Sequence, residues 1–423
     1  MFIVDQCHII FLSMKLYSKS GEKVNSKTQS NFLNRLDGFI LLILLAFCIF
    51  SIVFVYSSQK IGGFGSQNFA LKQGINYIIG FVILFLIAKL DLDQLERLAW
   101  PLYIISFISI IVLKYSPTSI APIILGAKRW FSIPVLGSIQ PSEYFKIALI
   151  ILVAKFITKH NSIHTVKTMK TDLMLIGKVM LVTLPPSVIV YIQPDTGMVF
   201  LYFVAVVSML YLSGIQKRMV AIFVIIPLVI IGVLVYLYYY QPDVIYKQLI
   251  PMLSPHQQQR IIGWLNPDGN SNEAYQTQRS LLAVGSGGTL GKGILKGNVY
   301  VPEKYTDFIF STVAEETGFF GASFVIILFF MLIYRIIGTG HESETGFGAY
   351  ICTGIAFSMA VQIFQNIGMV VGLMPVKGIS LPFLTYGGSS LFSNMISMGI
   401  ILSIRKTFGL YMFKNKKVHQ EVI

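Results

Sequence analysis

Ten apolar runs, each about 17 to 25 residues long, recur near 38–57, 73–90, 98–114, 141–158, 175–192, 197–214, 219–240, 310–334, 348–371 and 386–405. A hydrocarbon core ~30 Å thick needs roughly 20 residues of helix to cross it, so each run is long enough to span a bilayer. The runs are continuous, without the strict alternation that marks outer-membrane strands. The expected fold is therefore an all-α polytopic membrane protein with about ten transmembrane helices. Composition agrees, since 54% of the 423 residues are hydrophobic and only 12% are charged, well outside the range of soluble domains.

The formal net charge of +14 would suit a nucleic-acid binder, but in a membrane protein the distribution of Lys and Arg between loops is what informs. Of the 33 such residues, 20 fall on the side shared by both termini and 13 on the other, 6 of these in the long 241–309 segment, whose length exempts it from the rule. Both termini are thus expected in the cytoplasm, and no nucleic acid is expected as a partner. The predicted organisation is a cytoplasmic tail over 1–37, a membrane domain over 38–407 and a basic cytoplasmic tail over 408–423. One long extracytoplasmic loop, 241–309, lies between helices 7 and 8. Topology and anionic inner-leaflet lipid account for basic stretches such as "KNKK" at 414–417. The first thirty residues hold an apolar patch too short for a span and no A-x-A-like cleavage site, and Met14 is an alternative start. Cys7, Cys48 and Cys352 sit at unrelated spacings, so neither a disulfide nor a metal site is expected.

Several cations resist the inward bias. Lys128 and Arg129 adjoin in "GAKRWF", Lys146 lies in "QPSEYFK", and Arg260 and Arg279 lie in the long loop. An anionic ligand on the outer face explains them, because Arg and Lys match phosphate oxygens; rim charges paired with loop acids are the simpler alternative. Glu143 and Lys146 are three apart and share a helix face. They can brace a polar cleft or form a purely structural salt bridge. Asp195, after Pro194 in "QPDTG", either lines that cleft or caps the following helix.

The long loop carries a glycine cluster, Gly285, Gly287, Gly288, Gly291 and Gly293, in "AVGSGGTLGKG". A phosphate-loop reading fails because G-x-x-x-x-G-K-[ST] is absent. A close-packed turn bringing backbone near lipid or substrate fits better. The last outer loop, "NIGMVVGLMPVKGISLPFLTYGGSSLFSN", breaks an apolar region with glycines and prolines. Irregular backbone at membrane depth survives only where protein or a cavity satisfies it. Asn366, Thr385, Ser389 and Ser390 are candidates to line such a cavity or to hydrogen-bond within the bundle.

The motifs "GAKRWF", "QPSEYFK", "QPDTG", "AVGSGGTLGKG", "YTDFIFSTVAEE" and "NIGMVVGLMPVKGISLPFLTYGGSS", in this order over nearly all the chain, resemble the SEDS family of shape, elongation, division and sporulation proteins. The resemblance implies a peptidoglycan glycosyltransferase that polymerises lipid II, an undecaprenyl-pyrophosphate-linked disaccharide pentapeptide, in the bacterial cytoplasmic membrane. It implies that Asp307 is the essential carboxylate and that a class B penicillin-binding protein, with other wall-synthesis proteins, is the partner. It leaves a divalent cation open. "NIGMVVGLMPV" and "TDFIFSTVAEE" look closer to the elongation branch, whereas Lys377 stands where the division branch has Lys. Arg260 matches a family arginine; Arg279 stands where the family commonly has Gln.

A pyrophosphate leaves as a stable anion, so cations serve it better than a general acid. One carboxylate plus several cations is then a coherent set. Asp307 would take the proton from, or orient, the acceptor's C4 hydroxyl, which attacks the anomeric carbon with inversion, and Arg260, Lys128 and Arg129 would hold pyrophosphate. The wider substrate set comprises Trp130, Glu143, Lys146, Asp195, Glu315, Ser389 and Ser390. Glu315 either supports the cavity or packs the bundle, and Glu316 on the opposite helix side packs. Two rivals stay open: a lipid-linked precursor flippase or transporter, which needs a polar path across inner halves that look nearly uniformly apolar, and a nonenzymatic scaffold.

Overall fold

The computed structural model describes residues 36–62, 68–123, 127–133, 137–253, 255–266 and 272–420; the early tail with Cys7 and Met14 lies outside them. The helices are α1 (Gly38–Gly62), α2 (Phe69–Ala88), α3 (Leu92–Tyr115), α4 (Pro141–Ile163), α5 (Met169–Ile192), α6 (Thr196–Leu212), α7 (Lys217–Tyr240), α8 (Pro255–Leu265), α9 (Asn272–Gly287), α10 (Ile309–Glu342), α11 (Gly346–Val370) and α12 (Gly388–Gln420). Short helical turns fill 242–252. Polar residues start many of the helices. Asp37 accepts from the Phe39 and Ile40 amides at 3.0 and 3.4 Å, Asn68 from Leu71 N at 3.0 Å, and Thr345 from Gly348 N at 3.2 Å, each satisfying a donor the helix leaves unpaired.

Each of the ten apolar runs falls within one of α1–α7 and α10–α12, overrunning its ends by no more than two residues. Seven of these helices, α1, α2, α3, α5, α7, α10 and α11, are long and apolar enough to cross a membrane by length and composition, and α6 is a shorter apolar helix. Helix α4 is the exception among the buried ones, carrying Glu143, Lys146, Lys155 and Lys159. Two expectations need correction. The 241–309 segment is largely helical rather than a plain loop, through α8 and α9. The all-α fold also carries one antiparallel hairpin, β1 (Phe131–Ile133) with β2 (Gly137–Ile139), which places Ser132 opposite Ser138.

Burial places α4 and α11 at the centre: Phe145 through Ala154 are buried without a break on α4, as are Tyr350, Ile351, Cys352, Ile355 and Ala356 on α11. Helix α7 presents apolar side chains outward along its whole length. Polar groups are also buried at the other ends of the helices. Asp37, before α1, accepts from Arg335 Nε at 2.6 Å, and His160 and Asp172 are buried where α4 ends and α5 begins.

The glycine cluster docks on α10. Helix α10 breaks at Gly318, whose φ of +65° only glycine adopts without strain. Through that break Phe319 N donates to Gly288 O at 2.9 Å, while Lys292 N and Gly293 N donate to Glu315 O and Glu316 O at 3.0 and 2.9 Å. A Cβ at Gly287, Gly291 or Gly318 would collide with backbone of the opposing segment.

Candidate active site

Asp307 lies in the turn just before α10. Lys304 and Phe308 of this turn are buried, Glu303 is exposed, and the Asp307 side chain is partly accessible. The turn is closed by Thr306 N and Phe308 N donating to Glu303 O at 3.1 and 3.3 Å. Its aromatic side is clamped: Tyr305 stacks on Phe69 of α2 at 4.8 Å between centroids, and Tyr386 N donates to Tyr305 O at 3.1 Å. Two termini of irregular backbone therefore meet here, the end of the 241–308 segment and the 371–387 loop.

That loop brings Gly378 against the acid. A Cβ built on Gly378 would stand 3.3 Å from Asp307 Oδ2 and 3.6 Å from Arg260 Nη2, so the carboxylate and the guanidinium flank one point where this chain has no side chain. Gly378 has φ +54°, which favours glycine there on conformational grounds too. Burial and the neighbouring Glu303 raise the Asp307 carboxyl from 3.8 to about 6, against the opposing pull of Arg260 and Arg129. Lys377, next to Gly378, has its ammonium 5.2 Å from the Phe200 ring centroid, and burial together with Arg260 holds it below the usual lysine range. The result is a carboxyl poised near neutrality between the opposing influences of Glu303 and of Arg260 and Arg129.

The broken loop is satisfied by side chains from three helices, as irregular backbone at this depth requires. Asn366 Nδ2 donates to Asp307 O at 2.9 Å and to Ile379 O at 2.7 Å, tying both halves of the site together. Gln362 Nε2 donates to Ser380 O at 3.0 Å, Tyr77 Oη to Phe383 O at 2.5 Å, and Ser51 Oγ to Leu384 O at 3.0 Å. Thr385 Oγ1 accepts from Leu381 N at 2.7 Å.

The remaining sequence candidates separate into distinct places. Arg129, buried and 5.9 Å from the Trp130 ring, donates to the carbonyls of Gln193 and Pro194 and so faces the start of α6. Asp195 caps α6 through Met198 N at 3.4 Å and accepts from Gln140 Nε2 at 2.8 Å and Ser142 Oγ at 3.1 Å. Lys128 is a correction: its ammonium donates to the carbonyls of Lys114 and Ser116 at the end of α3, not toward Asp307. Ser389 joins the hairpin to α4, donating to Ser138 O at 2.6 Å and accepting from Gln140 N at 2.9 Å. Glu143 and Lys146 pair at 3.1 Å deep in the bundle. Ser393 donates to Glu143 at 3.1 Å, Lys146 donates to Gln362 at 3.3 Å, and Ser390 bonds Ser380 at 2.6 Å. Glu315 is the second correction. It has no exposed surface and both its oxygens are occupied by Lys292, Lys304 and the Asn298 and Val299 amides, so it cannot touch a substrate as it stands. Glu316 accepts from Ser57 Oγ and, at 3.1 Å, from Leu295 N.

Sequence reasoning missed that Gly378 lies against the acid and that Asn366 bonds the Asp307 and Ile379 carbonyls together. The signal was present in "VKGIS": an outer cation beside a glycine in a broken apolar segment. Among the described residues no three His, Cys, Asp or Glu side chains stand close enough to share a metal ion.

Residues 37–408 match the FtsW/RodA/SpoVE family, described as cell cycle proteins. The Escherichia coli peptidoglycan glycosyltransferase MrdB is 32% identical over 375 residues, 87% of this chain and 93% of its own. The probable peptidoglycan glycosyltransferase FtsW of Geobacter metallireducens is 31% identical over 390 residues, 90% and 97% of the two chains. Among solved structures, a chain from work on polymerization and crosslinking by a peptidoglycan synthase complex superposes with a TM-score of 0.70 at 23% identity, covering 88% of this chain and 98% of that one. The rod shape determining protein RodA of Thermus thermophilus superposes with a TM-score of 0.61 at 23% identity, covering 88% and 97%. On the family match and on these relatives, the chain belongs to the FtsW/RodA/SpoVE family of cell cycle proteins.

Proposed function

We propose that this chain polymerises lipid II into β-1,4 glycan strands on the outer face of the cytoplasmic membrane, with Asp307 as the catalytic base. Its curated relatives are peptidoglycan glycosyltransferases, and the chain is a cell-wall glycosyltransferase of the same family. The observation that carries the site assignment is the convergence of Asp307 Oδ2 and Arg260 Nη2 on Gly378. A carboxyl raised to about 6 is largely ionised at neutral pH yet basic enough to take a proton from the acceptor C4 hydroxyl. Arg260, Lys377 and Arg129 supply positive charge for the departing pyrophosphate, which needs no proton to leave.

The loop charge distribution supports ten crossings with both termini cytoplasmic, a membrane domain over 38–407 and tails over 1–37 and 408–423. The resemblance favours the elongation branch, with a division- or sporulation-branch polymerase as the alternative, and a class B penicillin-binding protein with further wall-synthesis proteins as partners; the likeness of the fold to a chain from a peptidoglycan synthase complex supports such a partnership. A carrier reading is less well supported. The polar cavity beside Lys146, lined by Ser358, Gln362, Asn394 and Ser397, has about 10 Å³, room for about one water, and the larger cavity of about 340 Å³ between α1 and α10 is lined mainly by apolar side chains such as Phe50, Phe54, Phe320 and Phe324, unlike the polar path a carrier needs. The test is purified protein, with and without a transpeptidase partner, given labelled lipid II. Moenomycin-insensitive polymer that disappears in Asp307→Ala is expected; polymer that persists in that variant rejects the assignment.

A further inference from the structure

Two buried carboxylates, Glu315 and Glu316, lie on the first turns of α10 and have no part in the proposed proton transfer. Glu315 is the more heavily engaged. Its Oε1 accepts from Lys292 Nζ at 2.7 Å, Asn298 N at 2.8 Å and Val299 N at 2.9 Å. Its Oε2 accepts from Lys304 Nζ at 2.5 Å. Lys304 is itself buried and also donates to Val299 O at 2.9 Å. A single carboxylate thus gathers the segment 292–304 onto α10 from three points along it. Gly297 allows the approach, since a Cβ there would stand 3.1 Å from Glu315 Oε2 and 3.1 Å from Glu316 Oε1.

The connection to the site is short. Lys304 is three residues before Asp307 in the turn closed on Glu303 O, and Glu303 has φ +54°, a backbone state that non-glycine residues hold only when their surroundings dictate it. Phe308 on the far side of Asp307 is buried, so the turn is fixed at Lys304 and at Phe308, with Asp307 between. A far-reaching carboxylate needs no contact with substrate to matter, because misplacing a reacting group by ~1 Å can cost ~10²-fold in rate.

We propose that Glu315 is a positioning residue for Asp307, acting through Lys304 to hold the 303–308 turn at the place where its carboxylate meets Arg260 and Gly378. Resting as it does on Asp307 being the base, the inference needs a test that separates the two claims. Lys304→Met removes the tether while leaving Glu315 paired with Lys292, and Glu315→Gln/Lys304→Met removes both buried charges together, so neither variant strands a charge deep in the protein. Each is purified with the transpeptidase partner, checked for folding by thermal unfolding in detergent, and assayed for lipid II polymerisation from pH 5 to 8. Both are expected to lose ~10-fold or more in kcat with KM for lipid II within about twofold. Their acid limb moves to lower pH, because a loosened turn rehydrates Asp307. A merely structural role would lower the unfolding temperature and leave the acid limb in place. Folded Lys304→Met protein with wild-type kcat and an unmoved acid limb overturns the proposal. Asp307→Asn is the control: if it is inactive while the Lys304 variants are fully active, only the positioning role fails, whereas an active Asp307→Asn rejects the catalytic base itself.

Discussion

Replacing Asp307 by Asn should make the protein inactive and, at neutral pH, more stable. Burial and Glu303 outweigh Arg260 and Arg129 in raising this carboxyl from 3.8 to about 6, so the folded state binds the proton more tightly than the unfolded chain does. The sign follows from linkage: the protonated group contributes stability that is fully present below its unfolded value and is lost as pH rises through the folded one. Above pH 7 the ionised carboxylate is therefore a liability of about 3 kcal/mol at most, an upper figure because the side chain keeps some solvent. Asn does not titrate. Relative to wild type, Asp307→Asn should gain roughly half that amount at pH 5 and nearly all of it at pH 8. Thermal or denaturant unfolding of the two proteins in one detergent at pH 5, 6, 7 and 8 measures the gap, and glycan synthesis from lipid II measures activity, expected to fall by 10² to 10⁴. In wild type the acid limb of the rate should have its midpoint near pH 6. A variant that is less stable than wild type at pH 8, or a gap that does not widen with pH, refutes the argument that Asp307 is held in a site that disfavours its charge.

Arg260→Ala removes one cation from the anion site and should lower kcat/KM by ~10² to 10³, measured by the same polymerisation assay, with Arg260→Lys intermediate because the fork of donors is lost. Gly378→Ala must place a methyl 3.3 Å from Asp307 Oδ2 at φ +54°; ~1 kcal/mol of backbone strain and a clear loss of turnover are expected, read by unfolding temperature and initial rate. Lys146→Met should destabilise by ~3 to 5 kcal/mol by stranding buried Glu143, while Glu143→Gln/Lys146→Met should cost less than the single change; equal losses in denaturant unfolding would show that the pair is not coupled.

Much of the architecture was legible because lipid allows few solutions. Ten apolar runs became ten helices, and proline or a polar cap near the first residue marked the starts of α4 and α6. Position along the chain misled where a side chain's reach decides its partner. Lys128 adjoins Arg129 in "GAKRWF", yet it turns back to the carbonyls ending α3. The glycine cluster promised a close approach and delivered one, but to the broken backbone at Gly318. No local pattern could show that Gly378, some seventy residues after Asp307, would lie against it, since that contact is set by α10 and α11 running down and back through the bundle.

The three carboxylates of "YTDFIFSTVAEE" differ in what surrounds them more than in what they are. Glu315 accepts two ammonium groups and two amides, a set that leaves neither of its oxygens open to a reactant. Glu316 is likewise bound to Ser57 and Leu295 N. Asp307 has positive charge nearby, yet burial and Glu303 leave its proton affinity raised. A base must gain and lose a proton during turnover, so the least satisfied of the three is the one suited to chemistry, and the well-satisfied ones are suited to holding it still.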